Sequence, residues 1–218
     1  NSYGVFSNGS GSMELIARQG DPAPGMDTGA VFYSVGSDVL LNNSGQICFE
    51  GSATGGSVTY DDDYAIWYGD HNGLQLVVRE GDPAPGSPGN HMKSGFSVAG
   101  MNGSGIVALK GKVDETGDDG IWVWQNGGLE CVALEGQQWD ADGKGDMRTI
   151  DDINILSGYP SGGGDGRARC LNEAGTLVFE LEFRDLVDGT YEYREGVYFA
   201  HVPEPATVCL LAAGGLAI

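Results

Sequence analysis

Basic residues are scarce: 11 Lys and Arg stand against 31 Asp and Glu, a formal charge of −20. Such a surface repels phosphate backbones and anionic lipid headgroups, which excludes nucleic acid as a partner. Histidine is scarcer still, and His71, His91 and His201 lie far apart, so no zinc-ligand spacing exists. Ala, Leu, Glu and Lys are too thinly spread before residue 205 for long helices. No Gly-x-Ser-x-Gly, phosphate-binding glycine loop or Cys–His pair is present, which leaves nucleophilic and nucleotide chemistry without support.

Glycine, by contrast, fills 38 of 218 positions, without the every-third-residue period of collagen, and the chain is 40% hydrophobic. A turn-rich chain with enough apolar material for one ordinary core follows. Gly, Trp, Tyr and Val in short stretches favour an all-β protein.

Self-comparison exposes three families of repeats. Residues 14–25 read ELIARQGDPAPG, residues 75–86 read QLVVREGDPAPG, and residues 130–136 read ECVALEG before departing from the pattern. The second family is LNNSGQICF from Leu41, MNGSGIVAL from Met101 and LNEAGTLVF from Leu171. The third is GVF at Gly4, AIW at Ala65, GIW at Gly120 and GVY at Gly196. Leu74, Leu76 and Val78 alternate with Gln75 and Arg79, the period of a half-buried strand. After each Asn-x-x-Gly turn, Ile47 and Phe49, Val107 and Leu109, and Leu177 and Phe179 share one strand face, and these six are the expected core. Asn42, Asn102 and Asn172 suit Asx turns, with Gly45, Gly105 and Gly175 taking the strained dihedrals. Asn72-Gly73 and Asn126-Gly127-Gly128 are hairpin turns.

With Val31 to Tyr33 or Phe96 to Val98 as a third strand, each unit of about 55–60 residues holds four short strands, the content of one propeller blade. The expected fold is therefore all-β, β-propeller-like tandem repeats of four-stranded antiparallel sheets over residues 1–201. Units run at about 3–58, 64–116 and 119–190, with a last strand at 196–201 that begins a fourth unit or pairs with an edge. Three units are fewer than the four or more blades of a closed ring, and the chain starts at Asn1 on the threshold of a strand, so a fragment of a longer protein is expected.

Residues 202–218 change character abruptly: Pro203, Glu204 and Pro205 precede an apolar run from Ala206 to Ile218, read as a C-terminal hydrophobic helix. Its 13 residues fall short of a membrane span. Pro-Glu-Pro followed by a hydrophobic segment resembles the PEP-CTERM sorting signal, although the terminal basic cluster is absent. That resemblance implies export, transient membrane insertion through the tail and processing by an exosortase-type enzyme, with residence in the cell envelope or outside the cell. The repeats resemble the tandem NxxGxxxF proteins with alternative C-terminal anchors: Asn42, Gly45 and Phe49, and Asn172, Gly175 and Phe179, match fully, and Asn102 and Gly105 match with Leu109 in place of Phe. That family implies no established activity.

Few groups remain for chemistry. Asp140, Asp142, Asp146 and Asp151 around Gly145 follow calcium-loop spacing, but Lys144 opposes a cation, and a solvated acidic loop is the alternative. Asp61, Asp62 and Asp63 could share a cation or be simply solvated. The Gly-Asp-Pro-Ala-Pro-Gly copies read as structural turns. Cys131 and Cys170 are the pair to test for a bridge, while Cys48 and Cys131 equally suit reduced, packed thiols. Trp67, Trp122, Trp124 and Tyr198 read as packing between units, with Trp139 the exception. The expectation is a non-catalytic envelope or matrix protein that binds exopolysaccharide, protein or cations such as calcium. The alternative is a polysaccharide-active enzyme with paired carboxylates.

Overall fold

A strand covered on both faces reads as a nearly continuous buried run, and the middle strands of this chain do so. The computed structural model describes residues 3–9, 11–114, 116–155, 170–187 and 190–202. Its strands are β1 (Gly4–Ser7), β2 (Glu14–Arg18), β3 (Val31–Leu41), β4 (Ile47–Thr54), β5 (Tyr64–Asp70), β6 (Gly73–Arg79) and β7 (Met92–Met101). They continue as β8 (Val107–Val113), β9 (Asp119–Gln125), β10 (Gly128–Leu134), β11 (Gln138–Asp140), β12 (Met147–Ile155), β13 (Thr176–Val187) and β14 (Thr190–His201). No helix occurs among the described residues. The expected C-terminal helix and Pro203, Glu204 and Pro205 lie outside them.

All pairing is antiparallel. β1 and β2 form a hairpin, β3-β4-β5-β6 the first sheet, β7-β8-β9-β10 the second and β11-β12-β13-β14 the third. Three four-stranded sheets follow one another, but they straddle the expected unit boundaries: β5 pairs with β4 of the preceding unit, and β6 pairs with β5. Self-comparison measures a period and is blind to its phase, because any starting point gives the same offsets. The third sheet also departs from the pattern, since β14 pairs with the edge of β13 and short β11 joins the opposite side. The first strands run longer than the sequence suggested, β3 to Leu41 and β7 to Met101, with register shifts inside both.

The sheets lie face to face, and alternate residues of one strand serve two cores. On β4 and β5, Ile47, Phe49, Ala65 and Trp67 meet Val5 and Ala17 of the hairpin. Between them, Cys48, Ile66 and Tyr68 meet Phe96, Leu109 and Trp122 of the second sheet. Ala108, Ile121 and Val123 on the reverse of the second sheet meet Leu177, Phe179 and Tyr198 of the third. All six expected core residues are at most 1% exposed. Cross-strand pairs Phe49–Trp67, Leu109–Trp122 and Phe179–Tyr198 occupy one structural position in the three sheets. A Cβ on Gly51 would collide with the Ser34 carbonyl and one on Gly111 with the Phe96 side chain, and the Trp67 and Trp122 rings lie beside these two glycines at contact distance. In the third sheet Leu181 fills that space and the smaller Tyr198 replaces the indole.

Candidate functional site

The expected Asx turns form at Asn42 and Asn102, and Asn172 caps its turn through one amide bond. Asn42 Oδ1 accepts from the Ser44 and Gln46 amides at 3.0 Å each, Asn102 Oδ1 from Ser104 at 3.1 Å and Ile106 at 3.0 Å, and Asn172 Oδ1 from Thr176 at 2.8 Å. The other half of the amide does something the sequence did not disclose. Asn42 Nδ2 donates to the Asn102 carbonyl at 3.0 Å, and Asn102 Nδ2 to the Asn172 carbonyl at 3.3 Å. Three turns from three units are thereby tied into one ladder across the stack. Gly45, Gly105 and Gly175 have φ of +79°, +82° and +75°. A Cβ on Gly105 would collide with the Tyr68 hydroxyl of the first sheet, so Gly105 is held by close approach as well as by φ.

The Gly-Asp-Pro-Ala-Pro-Gly loops work as anchors. Trp67 Nε1 donates to the Pro24 carbonyl and Trp122 Nε1 to the Pro85 carbonyl, both at 2.9 Å. The third unit lacks this loop, yet Tyr198 Oη donates to the Ala141 carbonyl at 3.0 Å. The acidic segment around Asp140 thus stands where the proline loops stand in the other sheets. Trp139 is no exception to packing, because it meets Phe179 and Tyr198 edge-on.

The proposed calcium ligands do not converge. Asp140 accepts from the Gly145 amide at 3.0 Å, and Asp142 from Lys144 at 2.8 Å and Asp146 at 3.2 Å. Asp146 pairs with Arg148 at 2.8 Å, and Asp151, on β12, with Arg184 at 2.9 Å. Those bonds to backbone amides hold the Asp142 carboxyl below its ordinary range. The loop closes on its own N–H groups, and the Asp151 carboxylate is committed to Arg184. Asp62, in the acidic triplet, likewise pairs with Arg79 at 2.5 Å.

A different acidic group does assemble where the second and third sheets meet. Carboxylate oxygens of Asp119, Glu135 and Asp152 lie within 4.8 Å of one another. Asp119 opposes Lys112 across β8 and β9, and Lys110 stands two residues along the same face. Lys110 Nζ lies 3.1 Å from Asp119, and Lys112 Nζ pairs with Asp119 as well. Glu135 Oε2 accepts from the Asp119 amide at 2.8 Å, and Asp152 from the amide of Ile153 at 2.8 Å. Burial, then the charges of Asp119 and Asp152, push the Glu135 carboxyl up, and Asp119 raises Lys112. Oxygens so placed are the donor type a hard divalent cation takes, and two ammonium groups already balance most of their charge. The sequence signal was present but weak: Asp119 takes the repeat position of Tyr64, and Lys110 that of Glu50.

The exchange of Glu50 for Lys110 is informative. Glu50, 4% exposed, accepts from Tyr64 Oη at 2.6 Å and from the Val98 amide of the second sheet at 2.9 Å. Lys110 donates to the Ile153 carbonyl of the third sheet at 2.6 Å. Burial raises the Glu50 carboxyl above its ordinary range, against the two hydrogen bonds.

Cys131 and Cys170 are both free thiols, as is Cys48. Cys131 faces the core shared with the first sheet and Cys170 the core shared with the third, so the bridge does not form. Burial raises each thiol, Cys131 and Cys170 to about 11, and leaves them protonated and inert. Two shallow clefts open beside the Asn turns. One of about 390 Å³ is lined by Gln46, Tyr68, Asp70 and Gln75, and one of about 210 Å³ by Ser104, Gln125 and Glu173. The acidic trio lines neither.

No curated protein and no solved structure matches the chain. Residues 1–209 match the sequence profile of a family of unknown function, DUF7453, so the match covers the hairpin, all three sheets and the Asn ladder that joins them. The chain belongs to the DUF7453 family.

Proposed function

We propose that this is a non-catalytic, exported repeat protein of the cell envelope or extracellular matrix, with a β-propeller-like body sorted through Pro203, Glu204 and Pro205. The observation that carries this reading is where the repeated polar groups go. Asn42 and Asn102, and the Trp67 and Trp122 indoles, are consumed in bonds between units or to anchor loops, which is the economy of a scaffold. The apolar tail and Pro-Glu-Pro support export and exosortase-type processing. The charge of −20 suits an extracellular surface that gathers cations, calcium among them, or contacts exopolysaccharide and envelope proteins.

The test is fractionation in the native host with mass spectrometry of the C-terminus. The chain is expected in the envelope or medium without its apolar tail. Alanine at positions 203–205 is expected to leave the tail attached, and an intact chain in the cytosol overturns the reading.

A second reading, a polysaccharide-active enzyme, is favoured only by Asp119, Glu135 and Asp152 with a raised Glu135 carboxyl. Release of reducing ends from exopolysaccharide, lost in Glu135→Gln, would put it first.

A further inference from the structure

We propose that copies of this chain join end to end, the outer face of the β1–β2 hairpin of one copy covering the outer face of the third sheet of the next. Within the chain, each junction between sheets has two sides. One is the side that looks back: Trp67, Leu74 and Leu76 of the first sheet, and Trp122, Leu129 and Cys131 of the second, meet the preceding sheet or hairpin. The other looks forward: Ile66 and Tyr68, then Ile121 and Val123, meet the following sheet.

The two ends of the stack carry one half each. By the repeat alignment, Phe6, Met13 and Leu15 hold the positions of Trp67, Leu74 and Leu76, and they are 59%, 70% and 40% exposed. Val197 and Phe199 hold the positions of Ile66 and Tyr68, and they are 38% and 44% exposed. Phe6 and Leu15 are cross-strand partners, so the hairpin offers a continuous apolar face.

A surface that looks back is covered by one that looks forward, and this molecule presents one of each. The occupant these observations select is therefore a second copy, seated as the second sheet seats on the first. Such a contact is heterologous, so it propagates into a fibre or closes into a ring. A charge of −20 on each copy opposes it, and salt screens that repulsion.

Sedimentation velocity across a wide range of concentration and salt tests this. The wild-type chain is expected to give a concentration-dependent series of species that grows as salt rises. Phe6→Glu and Phe199→Glu each block one end, and each alone is expected to run as a monomer. Their equimolar mixture is expected to form one-to-one dimers and nothing larger, because one free end of each kind remains. Leu15→Glu and Val197→Glu give an independent pair, and an unchanged denaturation midpoint shows that the variants fold. A wild-type chain that stays monomeric at every concentration and salt overturns the proposal. So does a Phe6→Glu variant that dimerises with itself, since that requires a self-complementary face.

Discussion

The junction between the first and second sheets and the junction between the second and third are built from the same repeat positions with opposite polar chemistry. In the first, a buried carboxylate, Glu50, takes a backbone N–H from Val98. In the second, an ammonium, Lys110, gives a hydrogen bond to the Ile153 carbonyl and pairs with Asp119. The first reaches β7 and the second β12, and β7 is irregular there, with a register shift after Val98. A bulge frees backbone polar groups from the ladder, and a buried group so freed needs a partner. The comparison teaches that the repeat specifies a reach between sheets, while the sign of the charge follows the backbone group it meets, an N–H at Val98 and a carbonyl at Ile153.

The most severe way to break the comparison is to put the second junction's residue into the first. Glu50→Lys aims an ammonium at an N–H with Tyr64 in place of an acid, and is expected to cost about 3–5 kcal/mol, as an uncompensated buried charge does. Urea denaturation reads it. Trp122→Ala follows, removing a fully buried indole and its bond to Pro85, at about 3–5 kcal/mol. Trp67→Ala is expected to match it, because the two indoles do the same work. Asn102→Ala removes its turn cap and its bond to Asn172 and is expected to cost about 1–3 kcal/mol. The smallest effect is Glu50→Gln, whose amide keeps an acceptor for Val98 and a donor for Tyr64. Because folding raises the Glu50 carboxyl, the folded state holds this proton more tightly than the unfolded state. Ionised Glu50 therefore costs stability above its raised pKa, and that cost disappears as pH falls through it to the unfolded value. Glu50→Gln is expected to match or exceed wild type at neutral pH and to lose any advantage in acid, read as denaturation midpoint against pH.

Much of this architecture was legible because repetition multiplies a weak signal. One Asn-x-x-Gly is a turn; three at a fixed spacing with alternating apolar residues behind them placed Ile47, Val107 and Leu177 in the core. What the sequence hid was the direction of the second face. Ile66 and Trp67 are neighbours on one strand yet serve different cores, and only coordinates assign each to its sheet. The Asn ladder was hidden for a similar reason: a turn cap uses the side-chain oxygen, and no local pattern reports where the nitrogen points. The Asp140 segment stayed ambiguous in the sequence because alternating aspartates suit both a calcium loop and a loop that bonds its own amides. The Asp119–Glu135–Asp152 group escaped notice because its members come from three strands or strand ends with no common spacing.

The account rests on consecutive sheets lying face to face, and ring-to-ring nuclear Overhauser effects test that most directly. Tyr68 of the first sheet and Trp124 of the second have ring centroids 4.9 Å apart, and Tyr64 and Phe96 5.0 Å. Strong cross-peaks between both pairs are predicted, retained at high dilution. Their absence, with the β4–β5 and β8–β9 backbone contacts still present, would show intact sheets that do not stack and would contradict the account.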